Sequence, residues 1–158
     1  MASKRRTRQP GGRQPRGFRS RAQEAAVAIL RTADAVRQRL AAAVEPHGLT
    51  LQQYNVLRIL RGAHPEPLAT LDIRERMIER SPGITRFVDQ LDELGLLRRE
   101  RSADDRRVVH CWITERGLEL LAGMDAEVDR ADDQALAALD EAQLGVLVDL
   151  LDRVRADG

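Results

Sequence analysis

The sequence predicts a mainly α protein with one small β-hairpin, and three observations carry the prediction. Apolar residues recur at spacings of three and four through most of the 158 residues, the period of helices that bury one face. One stretch, "VVHCWI" at 108–113, changes to a period of two and is rich in β-branched and aromatic residues, as a strand requires. Capping residues and Gly or Pro stops separate the periodic segments.

Residues 1–21 come first. They hold Lys4, Arg5, Arg6, Arg8, Arg13, Arg16, Arg19 and Arg21 and no acid, a charge of +8. The whole chain sums to +1, so residues 22–158 sum to −7. The segment is rich in Gly, Pro and Gln and cannot bury a core, so it reads as a disordered or conditionally ordered arm. Such an arm either follows phosphates into a groove or serves as a solubilising tail.

From 22 to 45, Ala26, Leu30, Ala33, Val36, Leu40 and Val44 share one helical face, and Pro46 and Gly48 end the helix. Thr50 with Gln53 forms a capping box for a second helix through Tyr54, Leu57 and Leu60, which stops near Gly62. "HPEP" is a loop. A shorter helix over 70–79 turns Leu71, Ile73 and Met77 inward.

In "RSPGITRFVDQLDELGLL", Ser81 is a good N-cap and Pro82 suits the first helical position. Ile84, Val88, Leu91 and Leu94 make the apolar face with Phe87 at its edge, while Thr85, Arg86 and Asp89 point the other way. Gly95 closes the helix in the left-handed conformation. Two short helices joined by a tight turn, the second exposing polar groups near its start, describe a helix-turn-helix.

Residues 96–101 and 107–113 are the arms of a hairpin with its tip at 102–106. Alternation puts Val109, Cys111 and Ile113 on one face and Val108, His110 and Trp112 on the other. Thr114 caps a helix over 115–132, and Asp140 with Gln143 caps a last one carrying Leu144, Leu147, Leu150, Leu151 and Val154. The order describes a winged helix-turn-helix at 49–117, between an N-terminal helix at 22–48 and C-terminal helices at 118–158. One domain cannot cover the stripes on the first and last helices, so these are expected to be dimerisation helices shared with a second copy.

Composition narrows the class further. Hydrophobic residues reach 42% but aromatics only 3%, so the core must be Leu, Val, Ile and Ala. No apolar run approaches the roughly 18–20 residues of a membrane span. The first residues are charged with no apolar h-region, unlike a secretory signal. A single cysteine cannot form an internal disulfide, which fits a reducing cytoplasm. No nucleophile–base–acid set or Gly-rich phosphate loop is readable, so an enzyme is not expected and no cofactor is implied.

Asp105-x-Arg107, five residues, then Ile113-Thr114-x-x-Gly117 resembles the D-x-R-x5-L-T-x-x-G signature of MarR-type winged-helix transcription regulators. "ITRFVDQLDELGLLRRE" resembles that family's recognition helix and first wing strand, and "HGLTLQQYNVLRIL" its second helix. Ile113 replaces the usual Leu, a change of shape that costs little. The resemblance runs from about Ala22 onward and does not cover the basic arm.

It implies a cytoplasmic homodimer on pseudo-palindromic double-stranded DNA, commonly a repressor released by a small aromatic acid or phenol. By position it implies that Ser81, Pro82, Thr85 and Arg86 enter the major groove, with the two recognition helices about 34 Å apart. It implies that Arg106 reaches a flanking minor groove, where negative potential concentrates. Asp105 and Arg107 match the pair that holds the wing in shape. Charge alone does not argue for DNA, because residues 81–107 hold six basic and six acidic groups. The alternative is a winged-helix protein–protein interaction module without sequence-specific DNA binding.

Other residues carry two readings each. Tyr54, where the family's pockets often open, is either a core residue or an effector contact. Trp112 either packs on a neighbouring helix or lines a pocket or the partner subunit. Cys111 points inward, which suits an inert thiol better than a redox sensor, and the family's reactive cysteine position near the first helix is absent here. His47, His64 and His110 fit no zinc spacing, and no metal site is expected.

Overall fold

The computed structural model describes residues 17–79 and 83–156. Ser81 and Pro82, and residues 1–16 of the basic arm, therefore lie outside the described residues. The chain divides into two compact units, 1–35 and 36–158. The described part of the first unit enters α1 (Arg21–Val44) through a cap. The Ser20 hydroxyl accepts from the Gln23 N–H at 3.1 Å, and the Gln23 side chain accepts from the Arg19 N–H at 2.7 Å. Ile29 and Leu30 on this half of α1 are exposed.

The second unit contains the rest of α1, a 3-10 turn (Glu45–His47), and the helices α2 (Leu51–Ala63), α3 (Thr70–Arg76), α4 (Ile84–Glu93), α5 (Glu115–Leu136) and α6 (Glu141–Ala156). Its strands are β1 (Leu68–Ala69), β2 (Leu97–Arg101) and β3 (Val109–Ile113), in antiparallel order β1-β3-β2. No helix among the described residues is long and apolar enough to cross a membrane.

The caps sit where local chemistry requires them. Thr50 and Gln53 exchange both capping-box bonds, at 3.2 and 2.9 Å, and so start α2. Asp140 and Gln143 do the same before α6, at 2.8 and 3.0 Å. Gly48 and Gly95 take positive φ, 80° and 69°, where the chain leaves a helical turn.

The core lies around α2, which packs on α3, α4, α5 and β3. Its fully buried side chains include Val56, Leu57 and Leu60 of α2, Ile73 of α3, Val88 and Leu91 of α4, and Leu121 and Met124 of α5. Leu97 and Cys111 complete it from the sheet. Each large aliphatic side chain so buried contributes roughly 1.5–3 kcal/mol. The hairpin's faces follow the alternation: Cys111 and Ile113 are buried and Val109 packs on the core, while His110 and Trp112 are half-buried on the other side.

Four details differ from the sequence reading. β1 lies between the "HPEP" loop and the next helix, where no element was expected, pairing Leu68 with Cys111 and Ala69 with His110. Two residues have no period to detect. α3 ends at Arg76 rather than 79, and Leu71 is exposed. Leu71 sits roughly 200° round the helix from buried Ile73, so one narrow face cannot hold both. Leu94 is exposed as well. The helix closes there in a Schellman turn, Leu96 N–H to Leu91 O and Gly95 N–H to Asp92 O, both 2.9 Å, and Leu96 takes the buried place instead. Lastly, α4 begins at Ile84 with Gly83 as N-cap and no side-chain cap bond.

Candidate nucleic-acid interface

α4 is held by its apolar side, and that side decides what faces outward. Ile84, Val88 and Leu91 are buried, which leaves Thr85 and Arg86 exposed on the first turn. Gln90 fixes the helix to α2 by accepting a 3.1 Å bond from the side-chain amide of Gln53, the capping-box partner of Thr50. Among the described residues the Arg86 guanidinium has no ion pair. A cation left unpaired on an exposed first turn suits a phosphate or base edge.

A second anchor ties α4 to the wing. Asp89 and Asp92, three residues apart on the helix, both receive the Arg99 guanidinium of β2, Asp92 at 3.0 Å. These bonds push the Arg99 pKa up, that to Asp92 foremost. Exposed pairs are usually worth little, but two carboxylates on one planar guanidinium hold its orientation. The sequence reading missed Arg99. Its signal was an Asp-x-x-Asp pair on the helix and an arginine that alternates onto the Cys111 face, opposite Cys111 in the ladder.

The wing tip is closed by its own short polar side chains. The Ser102 hydroxyl accepts from the Asp104 and Asp105 N–H groups at 3.3 and 3.5 Å. Asp105 Oδ1 accepts from the Arg107 N–H at 2.9 Å, and the Val108 N–H returns to the Asp105 carbonyl at 2.9 Å. This is an Asx turn. Asp105 and Arg107 are thus joined, but through the Arg107 backbone; no ion pair joins their side chains. The turn leaves Arg106 exposed at the tip, without an ion pair among the described residues.

The remaining signature residues lock the wing to α5. Thr114 caps α5 by accepting from the Gly117 N–H at 3.1 Å, and its hydroxyl donates to the Gly95 carbonyl at 2.8 Å. The Thr114 N–H donates to the Leu96 carbonyl at 3.1 Å. Gly117 passes so close to that carbonyl that a Cβ would overlap it, and would also come within 2.8 Å of Ile113 Cγ1. Thr-x-x-Gly is therefore the join between the end of α4 and the start of α5.

A groove of about 440 Å³ opens between α3, the first turn of α4 and the base of the wing. Thr85, Arg74, Arg99, Arg107 and Leu71 are among its lining. Tyr54 and Trp112 do not line it. Tyr54 is 4% exposed in the core with Arg58 over its ring at 5.8 Å, and burial foremost pushes its hydroxyl pKa up. The Arg98 guanidinium lies 4.0 Å above the Trp112 ring, and His110 flanks it at 6.1 Å. Cys111 is fully buried, and its thiol pKa is raised chiefly by burial.

Farther from the wing, ion pairs brace the helices. Arg61 of α2 meets Asp125 of α5 at 2.9 Å, and His47 meets Glu127 of α5 at 2.9 Å. Arg37 meets Glu79 at 2.7 Å, just beyond α3. Among the described residues no group of three or more His, Cys, Asp or Glu gathers as a metal site.

The model of the MarR family matches residues 49–109. Over 111 residues the chain is 32% identical to the HTH-type transcriptional regulator MhqR of Bacillus subtilis (strain 168), across 70% of this chain and 75% of that one. The crystal structure of a MarR transcription factor from Planctomyces limnophilus is similar with a TM-score of 0.67 and 38% identity, over 85% of this chain and 98% of the other. BpsR of Bordetella bronchiseptica, whose DNA binding is regulated by 6-hydroxynicotinic acid, superposes with a TM-score of 0.76 over 84% of this chain and 98% of its own. At 19% identity that likeness is one of fold.

Proposed function

This chain belongs to the MarR family of transcriptional regulators, and from that premise we propose that it is a cytoplasmic homodimeric repressor. It holds a pseudo-palindromic operator until a small aromatic acid or phenol releases it. The observation that carries the reading is the joint presentation of Thr85 and Arg86 on α4 and Arg106 on the wing, with Arg99 linking the two elements. α4 reads the major groove, preceded in the chain by Ser81 and Pro82, and Arg106 enters the minor groove beside it. A pre-formed wing loses little entropy on binding.

Dimerisation is supported by large apolar side chains left open to solvent on the terminal helices. Leu30 is 70% exposed on α1, and Val146, Leu150 and Val154 are exposed along one side of α6. A row of this kind on a terminal helix is costly in a monomer and is buried by a symmetric copy.

The effector is seated in the groove beside α4. Arg74 and Arg107 offer cations to a carboxylate or phenolate there, and Leu71 and Val108 offer apolar walls. Because Thr85 lines the same groove, a ligand there competes with DNA for the front of α4. The effector must bind the DNA-incompetent form more tightly, or occupancy shifts nothing.

Fluorescence anisotropy on the intergenic duplex upstream of the gene, with salt varied, tests this. Tight binding to a palindrome, well above a random duplex and falling steeply with salt, is expected. Equal binding to both duplexes would replace the regulator reading with that of a protein–protein interaction module.

A further inference from the structure

The +8 charge of residues 1–21 is used by neither the helix-turn-helix nor the wing. We propose that the cations from Lys4 to Arg19 form a second, sequence-independent DNA contact that supplies most of this protein's attraction for the phosphate backbone. The proposal rests on the DNA-binding reading above and adds a separate site to it.

Affinity for duplex DNA comes largely from cations that replace condensed counterions at phosphates. The recognition region supplies few of these. Its six cations are matched by six acids. Arg99 is committed to Asp89 and Asp92, and Arg98 lies over Trp112 with Glu100 3.8 Å away. Arg106 shares the tip with Asp104 and Asp105. Behind this neutral face, residues 22–158 sum to −7, a body that repels a polyanion at range. A regulator built only from those residues would approach DNA against its own field.

Residues 4–19 reverse that field. In sequence, the cations from Lys4 to Arg19 all come before α1, which begins at Arg21. Fully extended, sixteen residues reach roughly 55 Å, more than one turn of duplex. Seven of the eight cations in 1–21 are arginine, whose guanidinium suits both phosphates and a narrow minor groove. Apolar residues in 1–21 are limited to Met1, Ala2 and Phe18, too few for an amphipathic face in a bilayer. Duplex DNA is therefore the polyanion that fits.

The full-length variant carrying Lys4→Gln, Arg5→Gln, Arg6→Gln, Arg8→Gln, Arg13→Gln and Arg16→Gln tests the proposal against a random-sequence duplex and the upstream duplex. Salt is varied from about 50 to 200 mM, the range in which counterion release is readily measured. Random-duplex affinity should fall about tenfold or more at the low-salt end, and the slope of log K against log salt should flatten by roughly 0.9 for each phosphate no longer neutralised. The upstream duplex should lose affinity by the same factor, and the melting temperature should hold.

An unchanged slope and random-duplex affinity, with Arg106→Ala still weakening the upstream duplex, would overturn the second contact and leave the regulator reading standing. A variant that loses only binding to phosphatidylserine vesicles would overturn it too. If the unaltered protein binds neither duplex, both readings fall together.

Discussion

Replacing Gly117 with alanine should destabilise this protein, although helix propensity alone predicts the opposite. Gly117 lies in the first turn of α5, where alanine is intrinsically favoured by about 1 kcal/mol. The added Cβ, however, would overlap the Leu96 carbonyl oxygen and approach Ile113 Cγ1 to 2.8 Å. Neither neighbour yields cheaply. The Leu96 carbonyl accepts the Thr114 N–H, and Ile113 is buried in β3. Overpacking of this kind costs about 1–3 kcal/mol. If α5 lifts away instead, the bonds from Thr114 to Leu96 and Gly95 weaken, at about 0.5–1.5 kcal/mol each.

Set against the gain in helix propensity, either route leaves a net loss of about 1 kcal/mol, or roughly 2–4 °C in Tm for a chain of this size. Gly123 lies in the same helix, and a methyl group there would have no neighbour within 4 Å, so Gly123→Ala should stabilise by up to about 1 kcal/mol. Thermal and urea unfolding followed by circular dichroism, at fixed protein concentration, measures both. A Gly117→Ala protein as stable as its parent would refute the close-approach account.

The other expectations concern the wing and the helix braces. Arg106→Ala should weaken binding to the upstream duplex by about 1–3 kcal/mol with the sedimentation behaviour unchanged, and unchanged affinity would remove the proposed minor-groove role. Asp105→Ala should also weaken binding by loosening the tip. Since Asp105 bonds the Arg107 amide rather than its guanidinium, a double-mutant cycle with Arg107→Ala should show coupling below about 0.5 kcal/mol. Strong coupling would mean that the side chains pair on DNA. The His47 hydrogen bond holds the Glu127 carboxyl below the ordinary carboxylate range. A lowered folded-state value stabilises above the unfolded value and is lost as pH falls through it. The stability lost on Glu127→Gln should thus be fullest near neutrality and shrink in acid, and a difference that does not shrink would contradict the brace.

Much of the scaffold was legible because its signals are local. The Thr50–Gln53 and Asp140–Gln143 caps, the left-handed Gly95 and the alternation through Cys111 and Ile113 each depend on residues a few positions apart. The spacing of Asp105, Arg107, Thr114 and Gly117 carried the resemblance to the family, and the family model matches over 49–109. The site was legible only in part. Thr85, Arg86 and Arg106 are exposed where their positions imply, while Ser81 and Pro82 lie outside the described residues. Tyr54 and Trp112 are not among the residues that line the groove beside α4.

By itself, then, the sequence determined the order of helices, the hairpin and its inward face, and the charge asymmetry between residues 1–21 and the rest. Periodicity, capping and charge are properties of neighbours along the chain, and no tertiary contact is needed to read them. Tertiary structure alone decided that Leu68 and Ala69 add a third strand, and that Leu96 rather than Leu94 fills the core. It also decided that Arg99 joins Asp89 and Asp92, and that Gly117 is required by the Leu96 carbonyl. Each of these depends on groups brought together by the packing of α4, the sheet and α5. A two-residue strand, an inter-element ion pair and a missing Cβ leave no periodic trace in a sequence.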